Sequence, residues 1–287
     1  MKKFVFASTI LLASLSVICV PTLRAQDSIT IKDTVEFSAY QAATAQTDPK
    51  TKAAALEDFL VKYPQSVVKQ AVLDLLLDTY QSLNDSAHEL DAANRLLAVD
   101  PANLKALLYS VMIKKAQCSK PGDAATCDAV AALAQKGLAA TKPAAAADDD
   151  WKKMTDAAYP IFHSAIALDD SISKKDFKAA EEEYSAELKL YTDDQSKTQG
   201  LLDTLQLASA YSQPGPGQDM VQASWFFARA WNFAPASYKA QIEPKLEGCY
   251  RKAHGKLEGL DAVKTKAAAS TFPPEGFSIT PAAAAAK

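Results

Sequence analysis

The sequence predicts an all-α protein built from antiparallel helix pairs, and three observations support this fold class. Alanine, the best helix former, is the commonest residue, whereas only 9 of 287 residues are glycine, against a usual share of roughly 7 %. Apolar residues recur at spacings of three and four along most of the chain. No segment shows the sustained two-residue alternation that predicts a strand.

The first 25 residues predict a secretory signal peptide. A basic start (Met1 to Lys3) precedes an apolar run over 4–20, and a small-residue cleavage pattern ends at Ala25. The alternatives are a retained anchor helix and lipidation of Cys19. No later stretch is long and apolar enough to span a bilayer. We therefore expect an exported protein, periplasmic or secreted, with residues 26–33 as an N-terminal linker.

Seven apolar stripes with helical spacing follow in chain order. They cover residues 56–63, 72–80, 90–97, 104–111, 130–138, 177–191 and 201–211. Asp48-Pro49 and Asp100-Pro101 predict helix starts. Aspartate is a favoured N-cap residue, and proline is favoured at the first helical position, where its missing N–H has no partner to lose. Pro160 and Pro244 fall within helical patterns and predict a kink or a break.

Two cysteines bracket a short turn between helical patterns. Cys118 and Cys127 are separated by eight residues that include Pro121-Gly122. Export exposes the chain to an oxidising environment, so we expect a disulfide between them, with two free thiols as the alternative. Cys249 stands among apolar residues and is expected to be buried.

Prolines at similar spacing end the helical stretches. Pro64, Pro101 and Pro143 lie about 40 residues apart, and the longer interval to Pro235 leaves room for two more units. A repeating unit of about 34 residues with small insertions fits this spacing, and it is the period of a helix-turn-helix repeat.

Small, aromatic and proline residues recur within these units. They are Tyr80, Pro101, Ala180, Tyr184, Ala208, Tyr211, Ala223, Phe227, Ala230 and Pro235. In this pattern the chain resembles the tetratricopeptide repeat (TPR) family over residues 34–268, and the segment 56–66 looks like the repeats of its exported bacterial members. The resemblance implies a right-handed α-solenoid of about five helix pairs plus a C-terminal cap. Residues 269–287, with two prolines and an alanine run, are expected to form an extended, mostly disordered tail.

Charge and motifs favour a non-catalytic role. The 31 basic and 34 acidic residues give a net charge of −3, which lacks the basic footprint of a general nucleic-acid binder. His88, His163 and His254 stand outside any metal-binding spacing, and no phosphate-binding or nucleophile motif occurs. We expect no catalytic residue, metal or cofactor, and no integral membrane span after signal cleavage.

The resemblance also suggests which residues would contact a partner protein or peptide. Mapping the repeat onto the chain places six of them on the concave face: Asp74, Asp78, Gln81, Lys105, Leu205 and Ser209. Trp225 lies far from its helix's core stripe, near Arg229, and has two interpretations. It is either a surface anchor for a partner or a side chain packed against the C-terminal cap.

The sequence as a whole predicts an exported TPR-like scaffold for protein–protein interactions in the cell envelope. One alternative is an envelope enzyme or carbohydrate-binding helical protein, which would need convergent acidic residues in the groove. A second alternative is a structural subunit that assembles with itself through its end repeats.

Overall fold

The computed structural model describes residues 30–118 and 124–282, so the predicted signal peptide lies outside the described residues. Within these ranges the chain forms thirteen α-helices and no strand. None of these helices is both long and apolar enough to cross a membrane. They are α1 (Thr34–Thr44), α2 (Pro49–Lys62), α3 (Lys69–Ser82), α4 (Ser86–Val99), α5 (Leu104–Cys118), α6 (Ala124–Leu138), α7 (Asp148–Asp169), α8 (Phe177–Leu190), α9 (Asp193–Thr198), α10 (Leu201–Ser212), α11 (Met220–Phe233), α12 (Ala236–His254) and α13 (Leu260–Ala269).

Consecutive helices pack against each other along the described chain, which confirms the predicted all-α solenoid. After α1 and α2, the successive pairs are α3–α4, α5–α6, α7–α8 and α10–α11, with the short α9 before α10, and both α12 and α13 pack on α11. Next-but-one contacts join α5 to α7, α8 to α10 and α11 to α13. Such stacking buries the apolar side of each pair against its neighbours.

The small and aromatic residues of the repeat pattern lie where the helices touch. In α11, Ala223, Phe227 and Ala230 are buried. In α8, Ala180 and Tyr184 are buried in the same way. Small residues let two helices approach closely, and each aromatic ring fills the space between pairs. Tyr80 and Ala208 are also buried, Tyr211 is half-buried, and Pro101 and Pro235 are exposed after α4 and α11.

One of the two predicted proline starts is confirmed and the other is wrong. Asp48 caps α2, where its side chain accepts a hydrogen bond from the Thr51 N–H at 2.8 Å. Asp100 instead ends α4, and α5 begins at Leu104. The Asn103 side chain accepts from the Ala106 N–H at 3.0 Å and so takes over the capping role.

Neither internal proline interrupts its helix. Pro160 lies inside α7 and Pro244 inside α12, and both helices continue on either side. Ala158 and Phe162 flank Pro160 and are fully buried, so tertiary packing offsets the one backbone hydrogen bond that the proline removes. The predicted break is therefore absent at both positions.

The prediction of a disordered C-terminal tail is wrong for its described part. Residues 270–282 form no helix, but the segment contacts α11. Phe277 packs edge-on against Trp225 with ring centroids 4.8 Å apart, Phe272 packs on Phe226 at 5.8 Å, and Ile279 is buried. Packing removes apolar surface of three side chains in this segment from water. The free energy of this burial outweighs the conformational entropy that ordering the segment costs.

The two cysteines that were predicted to form a disulfide lie next to each other. The Sγ atoms of Cys118 and Cys127 are 1.99 Å apart, the distance of a disulfide bond, and both residues are buried. The pair joins the end of α5 to the start of α6 and packs with Leu168. Cys249 is a buried free thiol, as its apolar neighbours predict.

Candidate functional site

Three predicted partner-binding residues come together on α3 and α5. The Lys105 Nζ lies 2.6 Å from Asp78 Oδ1 and 3.3 Å from Asp74 Oδ2. Burial lowers the pKa of Lys105, but the hydrogen bonds and charges of the two aspartates outweigh burial and leave this pKa above its usual value. The two carboxylates thus hold the ammonium group in a fixed place between the first helices of two successive pairs.

Gln81 extends this polar surface by one helical turn. Its side chain hydrogen-bonds the hydroxyl of Tyr109, whose pKa burial raises. Beside them is a cavity of about 590 Å³ that also involves Glu89 and Met112. Burial raises the pKa of the Glu89 carboxyl, and no other cause contributes. The cavity therefore combines an apolar thioether with groups that can donate or accept hydrogen bonds.

Leu205 and Ser209 lie on α10 and belong to a different part of the surface. The Ser209 hydroxyl donates to the backbone carbonyl of Leu205 at 2.9 Å, so it is engaged within its own helix. Leu205 lines a pocket of about 220 Å³ between α10 and α12, with the end of α11 as its floor. The lining residues are almost all apolar: Leu201, Leu202, Leu205, Ala230, Ala234, Pro235, Tyr238 and Ile242.

The rim of this α10–α12 pocket was not identified by the sequence reasoning. Leu202 exposes 63 % and Tyr238 exposes 57 % of its surface. Leu202 directly follows the half-buried Leu201 in an apolar run. Tyr238 lies in the region where the sequence predicts the C-terminal cap. The only sequence signal was an extra apolar residue in α10. The stripe of apolar residues on one face of this helix is complete without it.

Trp225 is not the surface anchor that one of its two interpretations proposed. Only 1 % of the residue is exposed, and its Nε1 donates to the Thr271 carbonyl at 3.2 Å. Arg229 is equally buried. Its guanidinium donates to the Ala267 carbonyl at 3.0 Å and pairs with Asp193 at 2.5 Å. Both side chains pack under the C-terminal region, which is the second interpretation.

A buried polar network joins four helices and was not anticipated. The Ser164 hydroxyl (α7) donates to Asp203 Oδ1 (α10) at 2.7 Å, and the Lys115 ammonium (α5) donates to Ser164 and lies 3.9 Å from Asp203. The Glu187 carboxyl (α8) lies beside Asp203 and Tyr191. Burial, followed by the charge of Asp203, raises the pKa of Glu187 to about 10, so this carboxyl is neutral at pH 7.

The histidines have ordinary partners. His88 Nδ1 lies 2.7 Å from Asp85, His163 Nδ1 lies 2.7 Å from Glu183, and His254 bonds the Thr280 carbonyl. Among residues 30–118 and 124–282, no group of three or more His, Cys, Asp or Glu side chains is placed to hold a metal ion. His163 and His254 thus join separate segments of the fold, whereas His88 pairs with the N-cap of its own helix.

No protein-family model matches the chain, and no curated protein is significantly similar to it. The TPR resemblance therefore remains an interpretation of the residue pattern. The helical architecture itself is a property of the structure.

Proposed function

We propose that this chain is an exported TPR-like scaffold that binds a segment of a partner protein in the cell envelope and catalyses no reaction. The observation that carries the proposal is the apolar α10–α12 pocket. It lies between α10 and α12, which both pack on α11, and the end of α11 completes its lining. Its partner is expected to contribute one or two apolar side chains.

Solvent exposure of the pocket rim supports binding. Leu202 and Tyr238 present apolar surface to water, and covering such surface contributes roughly 25 cal/mol per Å². Aromatic and aliphatic side chains in a pocket are typical anchors of protein interfaces. Asp74, Asp78 and Lys105, on the first helices α3 and α5, offer charged groups to the polar parts of a partner.

A site-specific crosslink tests the proposal. A photoreactive phenylalanine replaces Tyr238 in the full chain, and adducts formed in cells are identified by mass spectrometry. We expect an adduct with a second protein, reduced at least about tenfold by Leu202→Glu, because a buried charge opposes docking. Leu190→Glu, a change at another exposed leucine on α8, is the matched control and should leave the adduct intact.

Three results would contradict this function. The first is no adduct at position 238, and the second is an adduct that Leu202→Glu leaves unchanged. The third is an adduct with a second copy of the chain, which favours the self-assembling subunit.

Export has its own test, since the mature protein should begin at Gln26, and a retained 1–25 segment would favour the anchor.

A further inference from the structure

A second cavity lies away from the α10–α12 pocket. It has a volume of about 490 Å³ and is lined by α8, the ends of α10 and α11 with the loop between them, and the C-terminal segment. Residues of three chemical types line it: acidic Glu181 and Asp219, basic Lys178, and aromatic Tyr211, Phe226 and Phe272. The proposed scaffold function uses none of them.

Glu181 is the unusual member of this cavity. Only 1 % of the residue is exposed, yet neither carboxylate oxygen has a hydrogen-bond partner. Its nearest cation, the Lys178 Nζ, is 3.8 Å away and lies equally near exposed Glu182, at 3.6 Å. A buried carboxylate without donors is costly, because the lost hydration is not replaced.

The backbone of the α10–α11 loop closes one side of the carboxylate. A Cβ atom at Gly217 would lie 2.5 Å from Glu181 Oε1, so only glycine lets the chain approach so closely. Phe272 and Pro273 of the C-terminal segment line the opposite part of the cavity. The carboxylate is therefore buried against this loop, in a recess that the C-terminal segment also lines.

Charge and aromatic surface in this recess suit a cation. With Glu181 ionised, the group Glu181, Glu182, Asp219 and Lys178 carries a net charge of −2. Tyr211 and Phe226 stack with ring centroids 5.8 Å apart and an interplanar angle of 7°, and aromatic faces attract ammonium groups. Burial raises the pKa of Glu181 to about 7, which Lys178 opposes and Asp219 reinforces.

We propose that this recess binds a primary ammonium group, which donates hydrogen bonds to the Glu181 carboxylate beside Tyr211 and Phe226. An ammonium has three donors, enough for both unpartnered oxygens, and its charge matches the site. The group belongs either to a free alkylamine or to a lysine side chain of another protein. This site is independent of the α10–α12 pocket, so either proposal stands if the other fails.

Isothermal titration of the full exported chain at pH 8 tests the site with butylammonium and with Nα-acetyl-lysine amide. We expect saturable binding that Glu181→Gln weakens by about tenfold or more, because the charged acceptor is lost. Glu258→Gln, a change at an exposed glutamate in the loop between α12 and α13, is the matched control and should bind as the unchanged protein does. A stronger response to the lysine amide identifies a protein lysine as the source, and a stronger response to butylammonium identifies a free amine.

Measurements on the unchanged chain keep the proposal testable if Glu181→Gln misfolds. Binding should weaken as the pH falls from 8 to 5.5, because Glu181 takes up a proton. Tetramethylammonium, which has no N–H donor, should bind more weakly than butylammonium. Absence of saturable binding, equal binding of the two cations, or equal binding by Glu181→Gln would each overturn the ammonium site.

Discussion

Glu187 shows how a single residue can depart from the repeat pattern and still be accommodated. In α11 the third position of the buried stripe is Ala230, and in α8 the same position holds Glu187. The carboxyl is buried and its pKa is raised, first by burial and then by Asp203. With its pKa raised to about 10, Glu187 is neutral at pH 7, which avoids a second buried negative charge in this network.

Stability should therefore depend on pH through Glu187. Its folded pKa lies above the unfolded value of about 4.5, so stability is complete below that value and is lost as the pH rises towards 10. Glu187→Gln keeps a neutral donor for Asp203 and should remove a slope of roughly 1 kcal/mol per pH unit from urea unfolding curves. Glu182→Gln serves as control, and an unchanged slope in Glu187→Gln would argue against this assignment.

The Lys105 ion pairs support a second prediction at the residue scale. Asp74 and Asp78 are half-buried or exposed, so the double change to asparagine should cost about 1 kcal/mol or less of unfolding free energy. The same variant should weaken partner crosslinking at position 238 if the charged patch contacts the partner. Thermal unfolding and the crosslink together separate these effects. A loss of several kcal/mol would mean that the pairs are chiefly structural.

At the scale of elements, α11 is covered on its outer side by the C-terminal region. Trp225 packs on Phe277, and Arg229 holds the end of α13 through the Ala267 carbonyl. Asp193 of α9 pairs with the same guanidinium. One helix thus anchors two segments that the sequence places far from it.

Trp225→Ala should lower the unfolding free energy by about 3–5 kcal/mol, as expected for loss of a buried tryptophan. Phe277→Ala, in the C-terminal segment, should give a smaller loss of the same kind because Phe277 is only half-buried. Differential scanning calorimetry measures both changes. A neutral Trp225→Ala would show that the C-terminal segment contributes little to packing.

The Cys118–Cys127 pair links two consecutive elements, and the proposed export predicts that it is oxidised. Alkylation without reduction should modify Cys249 at most, and only after unfolding, because its thiol is buried. Replacing both cysteines by serine should cost about 2–3 kcal/mol, the value expected for closing so short a loop. Peptide mass spectrometry of the non-reduced chain checks the pairing, and free thiols at both positions would contradict it.

At the scale of the whole molecule, each helix pair depends on its neighbours, so the ends should open first. The main partner of α1 is α2, whereas α7 contacts α5, α6 and α8. Hydrogen exchange should therefore be faster in α1 than in α7. The opposite end should be better protected, because Arg229 and the C-terminal segment hold α13. Uniform exchange along the chain would contradict this prediction and indicate a single cooperative core.

The sequence by itself determined the helical class of the fold and the burial of the small and aromatic repeat residues of α8 and α11. The spacing of Ala223, Phe227 and Ala230 is a local property, and one helix turn is enough to define the face that they share. The closeness of Cys118 and Cys127 follows likewise from a short loop. Helix ends were less secure, since Asp100 could end one helix as well as start another.

Only the tertiary structure decided which side chains are covered and by what. Trp225 is buried because Thr271 and Phe277, about fifty residues later, return to it. The burial of Glu181 and Glu187 and the exposure of Tyr238 likewise depend on neighbours from other helices. Periodicity fixes the direction of a side chain on its own helix, but its surroundings are set by contacts between distant segments, which no local pattern records.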